Sequence, residues 1–142
     1  MTEKQNWYPI DKLLMFESMV LESINNTLEQ YALFMEAKEK PHMLDDSIID
    51  RGVRVYQDQM EETTWHERQI ARWRQQGLNE WQRVQVDKFE ADNNRFRDES
   101  KKVLELLEEL RKGTINRIIG MSDEELGLNV LLGKIKPPFG GK

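Results

Sequence analysis

The sequence predicts an all-α protein, a long up-down-up antiparallel bundle of three helices. Three observations carry this reading. Apolar residues recur at helical spacing through residues 10 to 38, 45 to 75 and 79 to 111. These stretches are broken only at Lys40-Pro41-His42 and at Gly77-Leu78. Connections that short force long neighbouring helices to lie antiparallel. A chain of 142 residues is the usual size of one domain and can bury about two-thirds of its unfolded surface. The expected organisation is one helical domain over residues 1 to 133 and a flexible basic tail over residues 134 to 142.

Each element has boundaries with a physical reason. Pro9 can open the first helix, because its missing N–H would be unpaired there anyway, and Pro41 cannot continue it. Asp45 or Asp46 can cap the second helix, Gly77 can end it in the left-handed conformation, and Asn79 can cap the third. Gly113 is expected to close the third helix after Arg111-Lys112, cations that suit a helix C-terminus. One or two short helices are expected beyond it, over residues 114 to 119 and 123 to 132. The capping pattern Ser122-Asp123-Glu124-Glu125 would open the second of these.

The helical faces are not uniformly apolar. On the first helix Ile10, Leu13, Leu14, Val20, Leu21, Ile24, Leu28, Tyr31, Phe34 and Met35 share a face from which Glu17 projects. On the second, Ile49, Gly52, Val53, Tyr56, Met60, Thr63 and Ile70 share a face with Glu67, and Glu62 and His66 lie at its edges. On the third, Trp81, Phe89, Phe96, Val103, Leu106 and Leu110 share a face with Gln85, Lys88, Asp92 and Glu99. Turns near residues 41 and 77 would set Glu17 level with His66 and Glu67, and these level with Lys88 and Phe89, with Asp92 one turn away. A second level would join Thr27, Tyr56 and Glu99.

The charged level admits two readings. A metal or acid-base site would draw on Glu17, Glu62, His66, Glu67 and Asp92. Carboxylate-bridged di-metal bundles use a Glu-x-x-His on each of two helices. Here Glu62 and His66 are four residues apart and no second inner histidine exists, so the likeness to ferritin-like bundles stops at architecture. The other reading is a buried ion-pair layer in which Lys88 compensates Glu17 or Glu67. Such layers fix register and leave net stability little changed. The sequence favours the ion-pair layer, with no metal and no cofactor expected.

Absent motifs bound the function further. With no cysteine, disulfides, thiolate zinc sites and cysteine nucleophiles are excluded. No nucleophile elbow, P-loop or glycine-rich phosphate cradle is present, which weighs against an enzyme. No apolar run approaches the roughly 18 residues of a spanning helix, and the first residues lack the pattern of a signal peptide. A cytoplasmic protein with no membrane partner is expected. A net charge of −5, spread over an acidic body, argues against duplex nucleic acid, where neutralised phosphates supply most of the affinity.

The remaining signals point to association. Trp7, Trp65, Trp73 and Trp81, interleaved with Arg68, Arg72, Arg74 and Arg83, gather towards one end of the bundle. That end could cap the core, form a protein-binding hot spot or stack single-stranded nucleic acid. Trp65 projects from the polar side of its helix and needs a cover. Met15, Met19 and Leu33 lie opposite the stripe of the first helix, and Val86 and Leu104 lie off that of the third. Apolar patches of this kind are rare on monomers. The expected function is therefore a non-enzymatic adaptor, assembly or regulatory factor, a coiled-coil-like homodimer with an unidentified protein partner. The tail, Gly133-Lys-Ile-Lys-Pro-Pro-Phe-Gly-Gly-Lys142, reads as a solvated end or a short docking peptide.

Overall fold

The structure, a computed structural model, describes residues 7–40 and 44–119, with side chains described as far as Gly113. The expected helix at 123 to 132 and the tail lie outside the described residues. Every regular element among the described residues is helical. A single 3-10 turn, Ile10–Lys12, leads into α1 (Leu13–Glu39), followed by α2 (Asp46–Arg74) and α3 (Glu80–Ile119). None of these helices is long and apolar enough to cross a membrane.

Caps account for the boundaries. Pro9 stands at the entry of the 3-10 turn with φ −69°, the value its ring imposes. The Asp45 carboxylate accepts from the Ile48 N–H at 2.9 Å, satisfying one of the donors a helix start leaves open. Gly77 turns the chain at φ +67°, a conformation that L side chains rarely adopt. Asn79 and Gln82 cap α3 reciprocally: Asn79 Oδ1 accepts from the Gln82 N–H at 2.8 Å, and Gln82 Oε1 from the Asn79 N–H at 3.0 Å.

Gly113 does not close α3. The helix runs on through it to Ile119, so the separate short helix expected at 114 to 119 is not formed. A glycine inside a helix costs only about 1 kcal/mol relative to alanine. That is too little to stop a helix already carrying about nine turns.

Two buried clusters lie along the three packed helices. The first joins Leu13, Phe16, Val20 and Ile24 of α1, Ile70 and Trp73 of α2, and Val86, Phe89 and Phe96 of α3. The second joins Phe34 of α1, Ile49 and Tyr56 of α2, and Val103, Leu106, Leu107 and Leu110 of α3. Gly52 lets α3 approach α2 closely: a Cβ there would stand 3.0 Å from Leu107 Cδ1.

The buried row of α3 is Val86, Phe89, Asn93, Phe96, Ser100, Val103, Leu107 and Leu110, alternating steps of three and four as in a coiled-coil seam. This corrects the expected face of α3 by about one residue of rotation. Val86, expected off the stripe, is fully buried, and Trp81, expected on it, is 58% exposed. Lys88 is exposed as well. The cause is that Asn93 and Ser100 hold seam positions, so a stripe traced through apolar residues alone is drawn to the wrong side.

The α1 face is corrected in the same sense. Leu14, Leu21, Leu28 and Met35, expected inside, are exposed, and Phe16, left out of the expected face, is buried, while Glu17 and Thr27 are buried as expected. The apolar arc of α1 is wider than one seam. The core takes the row Leu13, Val20, Thr27 and Phe34, and the row one residue further round is left on the surface.

Candidate functional site

The aromatic end is built around the segment that precedes α1. The Tyr8 N–H donates to Gln69 Oε1 at 2.9 Å, Gln69 Nε2 donates to the Tyr8 carbonyl at 3.2 Å, and the Trp73 indole N–H donates to the same carbonyl at 2.8 Å. Gln69 and Trp73 are fully buried. A buried amide and a buried indole would be costly without these partners. The strap is thus pinned to the last turns of α2.

The strap also covers Trp65. The Trp7 and Trp65 rings stack at 6.3 Å, Tyr8 meets Trp65 edge-on at 5.8 Å, and Phe16 lies 5.6 Å away. The Arg72 guanidinium sits 4.5 Å over the Trp7 ring, within cation–π range. Trp65 therefore needs neither the C-terminal segment nor a partner as its cover, which corrects the expectation for it. Trp7, Trp65 and Trp73 belong to the inside of this end, whereas Arg68 and Arg72 are exposed, as is Trp81.

The charged level divides into separate groups. Glu17 is 7% exposed, and Lys88 Nζ is 3.6 Å from its Oε1. Burial first, and then the neighbouring Asp92 carboxyl, push the Glu17 carboxyl up to about 7, against the opposing pull of Lys88. Neither Glu17 oxygen nor Asp92 Oδ2 has a hydrogen-bond donor among the described residues, and a proton retained by the pair supplies one.

His66 belongs to a different network. Asn93 Nδ2 donates to the Thr63 carbonyl at 3.0 Å, which fixes the amide so that Oδ1 faces His66 Nδ1 at 2.9 Å. Nδ1 must then carry the proton, and Nε2 faces Glu62 at 3.8 Å. Burial holds the His66 pKa below its usual range, with Asn93 and Glu62 opposing. Glu67 turns outward to an ion pair with Arg97, and Arg97 Nε also donates to Thr63 Oγ1 at 3.1 Å.

Glu17, His66 and Glu67 therefore do not converge, contrary to the expected common level. Adjacent residues of a helix point about 100° apart, so His66 turned inward sends Glu67 to the surface. Among the described residues, no three His, Asp or Glu side chains gather where one metal ion could be held. The second expected level is also displaced by about one turn. Thr27 meets Gln59 at 3.2 Å and Gln59 Oε1 accepts from Ser100 at 2.9 Å, in place of Tyr56 and Glu99. Glu99 instead lies 3.4 Å from Lys102.

A cavity of about 610 Å³ opens beside the strap, lined by Tyr8, Phe16, Asp58, Glu61, Glu62, Trp65 and His66. Neither Glu17, whose pKa is raised, nor Asp92 lines it, so neither carboxyl meets a ligand there. Gln59, Gln69, Asn93 and Ser100 are inner residues that the apolar pattern passes over. The signal that finds Gln59, Asn93 and Ser100 is the three-four spacing itself, applied to polar as well as apolar residues; Gln69 lies off that row.

Among the described residues, seven of the twelve exposed large apolar side chains are on α1: Leu14 at 53%, Met15 at 45%, Met19 at 49%, Leu21 at 37%, Leu28 at 36%, Leu33 at 55% and Met35 at 39%. Leu104, expected uncovered, is partly buried against the second cluster. Comparison with protein-family models, with curated proteins and with solved structures returns no match.

Proposed function

We propose that the protein is a non-enzymatic up-down-up helical bundle that acts by helix–helix association through the exposed face of α1. The observation that carries this reading is the exposed row Leu14, Leu21, Leu28 and Met35 along one side of α1, with Met15, Met19 and Leu33 exposed further round the same helix. Apolar surface of that extent on one element costs free energy in water, at roughly 25 cal/mol per Å², and marks interaction sites on soluble domains. An adaptor, assembly or regulatory role fits such a face. The hydrogen bonds that join Thr27 of α1 to Gln59 of α2 and Gln59 to Ser100 of α3 support it by holding α1 in one register against the other helices.

The alternatives find less support. An acid-base role would need Glu17 and Asp92 to meet a substrate, whereas Glu17 is buried and neither lines the cavity beside the strap. A single-stranded nucleic-acid platform would need free indole faces, and Trp7 already stacks on Trp65 and carries Arg72 over its ring.

Affinity co-purification with the native chain and with a Leu21→Glu, Leu28→Glu double variant tests the reading. Both residues are exposed, so helix content by circular dichroism should be retained. Every chain held through the α1 face, a second copy included, should be lost from the variant. An unchanged set of bound chains would contradict the reading.

A further inference from the structure

The exposed face of α1 is a second coiled-coil seam. Leu14, Leu21, Leu28 and Met35 are spaced by seven and all exposed. Between them, also exposed, stand Ser18, Asn25 and Ala32. Together they alternate steps of four and three over 21 residues, about 32 Å of helix, without one charged side chain. In a chain that is 33% charged, that absence sets the face apart from an ordinary solvated surface.

The two edges of this seam carry opposite charge. On the edge away from the core lie Glu22, Glu29 and Glu36, each one residue beyond a seam residue and exposed. On the other edge runs a row of α3, Lys88, Arg95 and Lys102, again spaced by seven and exposed. Lys88 reaches Glu17 of α1 at 3.6 Å, and Lys102 lines one groove with Tyr31, Met35 and Lys38 of α1. The cationic row therefore follows α1 along its length.

We infer that the partner of this face is a second copy of the chain, with the two α1 helices side by side and parallel about a two-fold axis. This rests on the association proposed above and names its partner. A two-fold axis along the helices brings the basic edge of one copy against the acidic edge of the other. Arg95 then lies near the level of the partner copy's acidic row, and so does Lys102. An antiparallel pair would set acid against acid and base against base along both edges. Leucines at every seventh position with one asparagine among the alternate positions is also the pattern that specifies parallel two-stranded pairing, the asparagines meeting across the axis. The chain's own residues beyond Ile119 are a poorer fit. The helix that the sequence predicts at 123 to 132 would span about 15 Å, half of the seam.

The chain has no cysteine, so a single introduced thiol reports without background. Ser18→Cys, under mild oxidation at neutral pH, should give a disulfide-linked dimer, because the two copies of position 18 face each other only in the parallel arrangement. Leu21→Glu added to Ser18→Cys should abolish the cross-link while helix content is retained. Asp58→Cys, on an exposed part of α2, should not cross-link. Cross-linking of Ser18→Cys only to an Ala32→Cys chain would show antiparallel pairing and overturn the inference. A monomeric Ser18→Cys chain would also overturn it, as would destabilisation of a monomer by Leu21→Glu, which would show that the chain covers the face itself. Loss of a different bound protein in the double variant would in those cases leave the association reading standing.

Discussion

Glu17 gives the bundle a dependence on pH whose sign is fixed by its surroundings. Below about pH 4.5 the folded and unfolded chains both hold its proton; between 4.5 and about 7 only the folded chain does. Stability from this group therefore falls as pH rises through that window. Above it, the buried carboxylate is a constant cost. Glu17→Gln keeps the shape and removes the charge, and should raise stability at about pH 8 by about 1–3 kcal/mol, flattening this part of the profile. His66 acts with the opposite sign. Its pKa lies below the ordinary 6.5 because it is buried, so stability is lost as pH falls below 6.5 through the folded value. Urea unfolding of Glu17→Gln between about pH 5 and 8 should show this acid-side loss alone. A variant less stable than the native chain at about pH 8 would contradict the assignment. At the strap, Trp73→Phe removes the indole donor to the Tyr8 carbonyl and should cost about 1–2 kcal/mol, read from the same unfolding curves.

At the scale of elements, two glycines make opposed predictions. Gly113 stands within α3, and a Cβ there would meet nothing within 4 Å, so Gly113→Ala should stabilise by about 0.5–1 kcal/mol. Were Gly113 a left-handed helix end, the same change would destabilise. Gly77, at φ +67°, is such an end, and Gly77→Ala should cost about 1 kcal/mol; thermal melts of both variants check the pair. The existence and order of α1, α2 and α3 were legible in the sequence because Pro9, Asp45, Gly77 and Asn79 each act locally, through φ or through a cap. The rotation of α1 and α3 was not, whereas Ile49, Tyr56, Thr63 and Ile70 of the expected α2 face are buried. Asn93 and Ser100 on α3, with Gln59 and Gln69 on α2, occupy inner positions on the strength of hydrogen bonds to other elements, which a pattern traced through apolar residues alone does not register. For the same reason the strap was invisible: Tyr8 is tied to α2 through its backbone, so its side chain gives no hint of the contact. Helix adjacency, by contrast, did place Glu17 near Lys88, within a turn.

At the scale of the whole molecule, the described residues leave more large apolar side chains exposed on α1 than on α2 or α3. The strap closes one end of the core around Trp65 and Trp73, and the seam on α1 is the face proposed for association. The edge charges make a further prediction at this scale. Screening by about 1 M salt, where the Debye length falls to about 3 Å, should weaken the parallel pairing of Arg95 and Lys102 with the partner copy's acidic row while leaving the apolar seam intact. The most direct test of the central claim is sedimentation equilibrium of the unmodified chain over a range of concentrations, beside the Leu21→Glu, Leu28→Glu variant. The mass of the native chain should rise with concentration towards twice that of one chain, and the variant should stay at one. A native chain that sediments as a single chain throughout, or a variant that dimerises as well as the native chain, would contradict the claim that α1 is the associating face.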